Sequence, residues 1–274
     1  MSAVPERHSR GETGLAPNLM RRIRIHLAYD GAAFHGWQVQ PGLATIQGAL
    51  EEILSGIEGA PVHVAASGRT DAGVHALRQV AAFSIENPIP AANLRRAVNR
   101  LLPAAIRVLS AEEVPADFHP RFQATAKTYE YRICRGEVCT PFEWPFVHHY
   151  PYPLDEARMS TLARAFEGEH DFSAFAASDD RDAEGRSKVR TVFSSVLEPS
   201  PERLVYRIRG SGFLKHMVRN IVGTLIEAGK GNIQDVTVLP AASGPTAPAK
   251  GLFLVSVEYG PGVSTFSSSV KTPW

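Results

Sequence analysis

Ala66-Ser67-Gly68-Arg69-Thr70-Asp71-Ala72-Gly73-Val74-His75-Ala76 connects two apolar segments of this sequence, residues 61–65 and residues 79–85. Both segments are typical of β-strands, so the stretch predicts two neighbouring strands joined by a tight turn. A turn has no structural need for arginine, aspartate and histidine together, whereas loops on a rigid sheet often hold reactive groups. We therefore predict that Asp71 carries the chemistry of the protein.

A purely structural interpretation of the same turn is the alternative. Aspartate and glycine favour tight turns, so Asp71 and Gly73 could form a hairpin that leaves Arg69 in solvent. Local composition alone does not separate this hairpin from a reactive loop.

The segments around this turn predict a split βαβ arrangement. Residues 22–29 alternate strictly between polar and apolar side chains, which indicates a half-buried strand. Thr45 is predicted to open a helix, a second helix ends at Pro103, and residues 106–114 form another strand. The resulting order is strand, helix, strand, strand, helix, strand, with a mostly antiparallel sheet and the helices on one face.

The second half of the chain resembles the first in its order of elements. We predict strands at residues 127–134, 189–197, 204–210 and 253–259, and helices around residues 159–166 and 214–228. The fold class is therefore α+β, with two similar halves, each with a mostly antiparallel sheet, and an active-site cleft between them. The predicted boundaries are a disordered extension at 1–19, an N-terminal domain at 20–115, a C-terminal domain at 116–260 and a flexible tail at 261–274.

The composition is that of an ordinary globular chain of 274 residues, with 44% hydrophobic and 21% charged residues. No apolar run approaches the roughly 20 residues that span a bilayer, and residues 1–17 lack the apolar part of a secretory signal. A cytoplasmic location is therefore expected. Cys134 and Cys139 are too few for a disulfide framework, and we expect them to be reduced thiols.

The net charge of +1 does not by itself indicate a polyanionic partner. Arginine nevertheless far outnumbers lysine, and arginine makes forked contacts to phosphate that lysine cannot. Basic residues cluster at Arg21, Arg22 and Arg24, at Arg95, Arg96 and Arg100, and at Arg186, Lys188 and Arg190. Genomic base composition explains an arginine excess equally well, so charge leaves RNA binding open. The highly charged segment 178–187 lacks apolar residues and is predicted to be a mobile loop.

The helix predicted at residues 214–228 has one apolar face. His216, Arg219, Asn220 and Gly223 share its other side. Taken alone, Arg219 is expected to be a solvated residue of an amphipathic helix.

Several stretches together resemble the tRNA pseudouridine synthase A family, which is the tRNA pseudouridine(38–40) synthase family. The three central motifs are Gly68-Arg69-Thr70-Asp71-Ala72-Gly73-Val74-His75-Ala76, Lys127-Thr128-Tyr129-Glu130-Tyr131 and Gly212-Phe213-Leu214-Lys215-His216-Met217-Val218-Arg219-Asn220-Ile221-Val222-Gly223. Shorter similar pieces are Tyr29-Asp30-Gly31, Asp171-Phe172-Ser173-Ala174-Phe175 and Ala247-Pro248-Ala249-Lys250-Gly251-Leu252. The resemblance covers roughly residues 20–260.

The resemblance implies a role for each of the site residues. Asp71 would be the catalytic aspartate, and Arg219 would pair with it across 148 positions of sequence. Arg69 would enter the space left by the target base, and Tyr129 would pack against that base. We also expect Arg69, Tyr129 and His75 to bind the substrate.

The resemblance also implies partners and chemistry. Members of the family are homodimers that act on the anticodon stem-loop of tRNA. Pseudouridine formation breaks the bond between ribose and N1 of uracil, turns the base and rejoins it through C5. This isomerisation requires no cofactor and no metal. A uridine in a paired stem must first leave the base stack, which costs a few kcal/mol.

The physical need for a charged pair follows from this chemistry. Burial beside a nucleobase would neutralise a carboxyl group, whereas a nearby guanidinium favours its ionised form and orients it. We therefore predict that Arg219 keeps Asp71 ionised. Asp71 could attack the ribose, attack the uracil ring or take part in proton removal, and the sequence does not choose between these courses.

Two other classes of protein compete with this interpretation. A non-catalytic RNA-binding α+β protein would account for the aromatic residues and the arginines, but not for Asp71, Arg69 and Arg219 together. A hydrolase with an aspartate nucleophile would need a base to activate water, and His75 is the only local candidate.

Overall fold

The computed structural model describes residues 20–178, 185 and 187–260. These residues form an α+β fold in which four α-helices accompany one mixed, mostly antiparallel sheet of ten strands. The strands are β1 Arg21–Tyr29, β2 Ala65–Ala66, β3 His75–Ile85, β4 Ile106–Val114, β5 Ala124–Cys134, β6 His148–His149, β7 Gly168–Asp171, β8 Val189–Ser200, β9 Arg203–Gly210 and β10 Leu252–Tyr259. The helices are α1 Ile46–Glu58, α2 Ala91–Leu101, α3 Glu156–Ala165 and α4 Met217–Gly229. In this part of the chain, no helix has the length and apolar character needed to cross a membrane.

One continuous sheet contains all ten strands of the described residues. Its strands run in the order β4-β1-β3-β10-β5-β9-β8-β7, while β2 pairs with β3 and β6 pairs with β5. Strands β3 and β10 pair in parallel, with His75 opposite Phe253 and Ala76 opposite Leu254. Strand β10, the last strand of the described residues, therefore lies in the middle of the sheet and joins the strands of the first 115 residues to those that follow.

The predicted α+β class with a mostly antiparallel sheet is confirmed, and the main elements lie where the sequence pattern places them. Helix α1 begins as predicted, because the Thr45 side chain accepts a hydrogen bond from the backbone N–H of Gly48. It ends at Gly59, which has a φ of 77° and so takes the left-handed conformation that favours glycine. Helix α2 ends just before Pro103, as proline cannot continue a helix.

The predicted strand at residues 61–65 is wrong in extent. Only Ala65 and Ala66 pair with β3, because side chains of α1 bind the backbone groups that a partner strand would otherwise use. The N–H of Val64 donates to Glu51, and the carbonyl oxygen of Val64 accepts from Gln47. Strand β3 in turn begins at His75, four residues earlier than predicted.

Helix α4 also differs from the prediction. It begins at Met217 rather than near Leu214, because His216 has a φ of 60°, which no residue of a right-handed helix adopts. The side of α4 opposite its apolar face is also buried rather than exposed to solvent. The amide of Asn220 donates to the carbonyl oxygen of Phe175, and Asn220 itself is 6% exposed.

The short strands β6 and β7 were not predicted from the sequence pattern. Several other predictions cannot be compared with the structure. The predicted N-terminal extension, the predicted tail, and positions 179–184 and 186 of the charged loop lie outside the described residues.

Candidate active site

Asp71 lies in the turn that leads from β2 into β3, and the backbone of this turn is tied to its surroundings on both sides. The carbonyl oxygen of Thr70 accepts a hydrogen bond from the N–H of Trp37 at 3.0 Å. The carbonyl oxygen of Gly68 accepts from the fully buried Gln79 side chain at 2.9 Å. The Asp71 carboxylate therefore projects from a rigid support, and 26% of its side chain is exposed.

Gly36 allows a second loop to approach this turn closely. Its φ is +88°, and a Cβ atom at this position would lie 2.7 Å from the carbonyl oxygen of Thr70. Only glycine combines that backbone conformation with that contact. The loop carrying Gly36 and Trp37 thus packs directly against the backbone of the Asp71 turn.

Arg219, on the first turn of α4, contacts Asp71 directly. Its Nη1 atom donates to Oδ2 of Asp71 at 3.1 Å, and its Nε atom donates to the carbonyl oxygen of Ala247 at 2.8 Å. Only 15% of the Arg219 side chain is exposed, so the expectation of a solvated arginine on this helix is wrong. The fold brings together two residues that are 148 positions apart in the sequence.

The orientation of Arg219 depends on how closely α4 packs against the segment at residues 244–248. A Cβ atom on Gly223 would lie 1.7 Å from the carbonyl oxygen of Pro245, so only glycine permits this contact. The N–H of Ala247 also donates to the backbone carbonyl of Arg219 at 3.1 Å. Two stretches that resemble the family motifs, one with Asp71 and one with Ala247, therefore each accept a hydrogen bond from the guanidinium.

His216 is a site residue that the sequence interpretation missed. Its Nε2 atom lies 3.5 Å from Oδ2 of Asp71, close to the oxygen that Arg219 contacts. Among the described residues it is the one non-glycine residue with a positive φ. Burial lowers the pKa of His216, the charges of Arg219 and Lys215 lower it further, and the charge of Asp71 opposes the shift. The only signal in the sequence was its position within the stretch that carries Arg219.

Tyr129 of β5 lies in the same cleft as Asp71 and is 8% exposed. Its ring packs edge to face on Phe213, with 5.1 Å between ring centroids. Burial raises the pKa of the Tyr129 hydroxyl, and the charges of Tyr29 and Asp71 raise it further. Tyr129 therefore keeps its proton at any pH at which the protein would work.

Lys127 is a second residue that the sequence interpretation did not single out as a site residue. Its Nζ atom donates to the carbonyl oxygen of Ser67 at 2.6 Å, at the base of the Asp71 turn. Burial lowers the pKa of Lys127 to about 8, and the nearby Arg121 contributes to the shift. The signal for Lys127 in the sequence was its presence in the family-like stretch that contains Tyr129.

Arg69 and His75 occupy very different environments. Arg69 is exposed at the cleft, and no hydrogen bond or ion pair holds its guanidinium within the described part of the chain. His75 does not line the cleft: it is 1% exposed and its ring stacks on Phe253 with 4.7 Å between centroids. Its Nδ1 atom accepts from the N–H of Gly31 at 3.1 Å, so His75 supports the Gly31 loop, and its contact with the substrate stays a prediction.

The cleft around Asp71 has a volume of about 1040 Å³ and a strongly uneven charge. Asp71 is the one acidic residue among the described residues that line it. Six basic residues line it as well, namely Arg69, Arg121, Lys127, Arg190, Lys215 and Arg219. Of the arginine clusters that the sequence suggested, Arg190 is the one described member that lines the cleft. The folded chain therefore concentrates positive charge in one place although its net charge is +1.

Comparison with known proteins matches this chain to one family. The family model described as "tRNA pseudouridine synthase" matches residues 26–123 and 162–260. The tRNA pseudouridine synthase A of Solibacter usitatus is 81% identical over 240 residues, which cover 88% of this chain and all of that relative. That of Lacticaseibacillus casei is 42% identical over 250 residues, with 88% of this chain and all of the relative covered. Among solved structures, an archaeal box H/ACA sRNP Nop10-Cbf5 complex aligns at 11% identity and a TM-score of 0.33, over 84% of this chain and 51% of that one. On the strength of the family model and the relatives, this chain belongs to the tRNA pseudouridine synthase A family.

Proposed function

We propose that this chain isomerises uridine to pseudouridine at positions 38–40 in the anticodon stem-loop of tRNA, acting on a base that has left its stack. Asp71 is the catalytic residue, and Arg69, Arg219 and Tyr129 support it. The observation that carries the proposal is the 3.1 Å contact between Asp71 and Arg219, which joins two family-like motifs at one point of the cleft.

Asp71 supplies the negatively charged group that the reaction needs. It is the one carboxylate among the described residues that line the cleft, so a step that needs an anionic nucleophile or base falls to it. Arg219 is permanently charged, and its two hydrogen bonds hold the guanidinium in one orientation. The pair therefore presents an oriented carboxylate oxygen to the substrate.

Tyr129 supplies a flat surface beside this oxygen. An aromatic side chain can stack on either face of a pyrimidine base, and each stacked base contributes about 1–3 kcal/mol to binding. The protonated hydroxyl of Tyr129 can also donate a hydrogen bond while the uracil turns between cleavage at N1 and bond formation at C5. The ring and the hydroxyl thus support two different parts of the isomerisation.

Arg69 lies where its side chain can occupy the space that the target base leaves in the RNA. Removing a base from a stack costs a few kcal/mol, and contacts with the emptied site and the backbone must offset this cost. Arg69 is exposed, adjacent to Asp71, and held by no partner within residues 20–178 and 187–260. Its guanidinium is therefore free to enter the vacated space or to contact phosphate.

The six basic residues of the cleft suit a polyanion such as tRNA. We further propose that the chain acts as a homodimer in which one tRNA contacts both subunits, since one cleft is small for a whole tRNA. A cytoplasmic location accords with the two free thiols, Cys134 and Cys139.

The proposal that the chain consists of two similar halves, 20–115 and 116–260, is supported by strand order. Counting strands along each half, the first half has the order 4-1-3-2 in β4-β1-β3-β2. The second half has the same order in β10-β5-β9-β8 when its short strands β6 and β7 are left out of the count. The cleft lies between these halves, because β2 and β3 flank Asp71 while β5 and α4 carry Tyr129 and Arg219.

Release of tritium from tRNA labelled at C5 of uridine tests the function, because pseudouridine formation displaces that hydrogen. The wild-type chain is expected to release tritium, and Asp71→Asn is expected to release none while it still binds tRNA. A chain that binds tRNA without releasing tritium would be a non-catalytic RNA-binding protein, and the proposal would fail. Transcripts with uridine at only one of positions 38, 39 and 40 then identify the modified sites.

A further inference from the structure

An exposed aromatic pair at the rim of the cleft has no role in the chemistry described above. Phe122 is 75% exposed and lines the cleft that contains Asp71. Its ring stacks on that of His119, with 4.2 Å between centroids and 29° between planes. A single exposed phenylalanine is ordinary on a protein surface. This one differs because the turn that carries it is built to hold it in place.

His119 fixes the turn through its imidazole ring. Its Nδ1 atom accepts hydrogen bonds from the backbone N–H groups of Arg121 at 3.1 Å and of Phe122 at 3.3 Å. The carbonyl oxygen of Pro120 accepts from the hydroxyl of Tyr259, which is buried, at 2.7 Å. The Phe122 ring is thus presented to solvent on a preorganised turn, at little cost in conformational entropy on binding.

A positive charge lies close to this exposed ring. The guanidinium carbon of Arg121 lies 5.9 Å from the centre of the Phe122 ring, and Arg121 and Lys127 belong to the basic lining of the cleft. An aromatic surface interleaved with cations is the arrangement that binds unpaired nucleic acid, because bases stack on the ring while cations attract the backbone.

We propose that the pair of His119 and Phe122 is a stacking platform for one unpaired nucleobase of the substrate RNA, adjacent to the target uridine. The inference rests on the proposed function for the identity of the RNA. The ligand class is a single-stranded base of an RNA loop, and the stacking is tolerant of base identity because every base has a π-face. Phe122 therefore acts in binding and not in the chemical step.

The experiment compares tRNA binding and turnover in matched variants. Phe122→Ala and Phe122→Leu are expected to raise the KM and the Kd for tRNA by about 5- to 160-fold, the range for loss of one stacked base, with kcat changed less than about twofold. Phe122→Tyr keeps an aromatic face and is expected to match the wild type. The control is Phe142→Ala, since Phe142 is 79% exposed but lies outside the lining of the cleft.

A fluorescent base gives a readout that does not depend on turnover. 2-Aminopurine is placed in turn at each nucleotide flanking the target uridine of an anticodon stem-loop RNA. The wild type is expected to quench one of these positions, and Phe122→Ala is expected to remove that quenching. A wild type that quenches this base but releases no tritium would refute the proposed function and leave the platform intact.

Three results would overturn the platform. Unchanged Kd and unchanged quenching in Phe122→Ala would show that no base stacks there. Full binding by Phe122→Leu would show that apolar contact suffices. Conversion of a dimer to a monomer by Phe122→Ala in analytical ultracentrifugation, with RNA binding unchanged, would assign the ring to a contact between two copies of the chain.

Discussion

His216 places its Nε2 atom 3.5 Å from Oδ2 of Asp71, beside the Arg219 guanidinium that contacts the same oxygen at 3.1 Å. Both residues belong to the N-terminal end of α4, so one helix end controls one oxygen of the carboxylate. Burial lowers the pKa of His216, the charge of Asp71 opposes this shift, and the neighbouring cations add to it, so the permanent positive charge beside Asp71 is that of Arg219.

Arg219→Lys is expected to lower kcat about 100-fold, because the lysine ammonium cannot reproduce the two fixed directions of the guanidinium and small displacements of a catalytic group are costly. The KM for tRNA should change much less than kcat. Tritium release at a series of tRNA concentrations separates the two constants. Arg209→Lys is the control, because Arg209 pairs with Glu258 outside the lining of the cleft. Equal activity of both variants would remove Arg219 from the site.

Substitutions at His216 distinguish the role of its backbone conformation from the role of its side chain. Because φ is 60° at this position, His216→Gly is expected to be more stable than His216→Ala by about 1 kcal/mol, the cost of a left-handed conformation for alanine. Both variants should lose the same share of kcat, since both lack the imidazole. Urea unfolding and tritium release measure the two effects. If the glycine variant alone kept full activity, His216 would matter only for the backbone.

Tyr129→Phe keeps the ring and removes the hydroxyl. Since that hydroxyl is buried and protonated in a cleft with Asp71, its loss is expected to lower kcat about 100-fold, the lower end of the effect of a positioned acid. The KM should stay within about twofold of the wild-type value, because stacking is preserved. Tyr129→Leu should raise the KM as well. Full turnover by Tyr129→Phe would leave Tyr129 as a stacking surface only.

Buried histidine makes the fold sensitive to acid. Burial and the charges of Arg24 and Arg78 lower the pKa of His26 to about 4 from its ordinary 6.5, while Glu112 opposes the shift. The unfolded chain therefore takes up a proton at a higher pH than the folded chain. This contribution to stability is complete above pH 6.5 and is lost as the pH falls from 6.5 to about 4, at up to about 1.4 kcal/mol per pH unit.

His26→Gln tests this origin of the acid sensitivity. Its free energy of unfolding, measured in urea between pH 7 and pH 4, is expected to fall less steeply than that of the wild type. The side chain of His26 contacts Ser110 at 2.9 Å, so some loss of stability at pH 7 is also expected. Parallel pH curves for the two proteins would show that His26 does not cause the slope.

The sequence predicted those elements whose signals are local. The alternation at residues 22–29 and the threonine cap at Thr45 each act within one segment, and both appear as predicted. The segment at residues 61–65 could not be predicted in the same way. Its backbone groups bind Glu51 and Gln47 of α1, and no local pattern reveals that a helix side chain will replace a strand partner.

The same distinction between local signals and tertiary contacts applies to the residues of the site. Family-like motifs pointed to Asp71, Arg69, Tyr129 and Arg219, and the fold places all four around one cleft. The contributions of Lys127, His216 and Arg121 were missed because each is a single polar residue whose meaning depends on tertiary packing. His75 was expected at the substrate because it is next to the turn, but strand β3 already includes it and turns its ring into the protein.

The central position of β10 has a consequence for synthesis of the chain on the ribosome. Asp71 emerges early, but Arg219 follows much later, and β10, which joins the strands of the first 115 residues to the later ones, ends only at Tyr259. Until that strand docks, the His75 end of β3 lacks its parallel neighbour and is an open edge that can pair with other chains. Folding of the nascent protein thus depends on the late pairing of β10 with β3, and truncation before β10 should yield insoluble, inactive material.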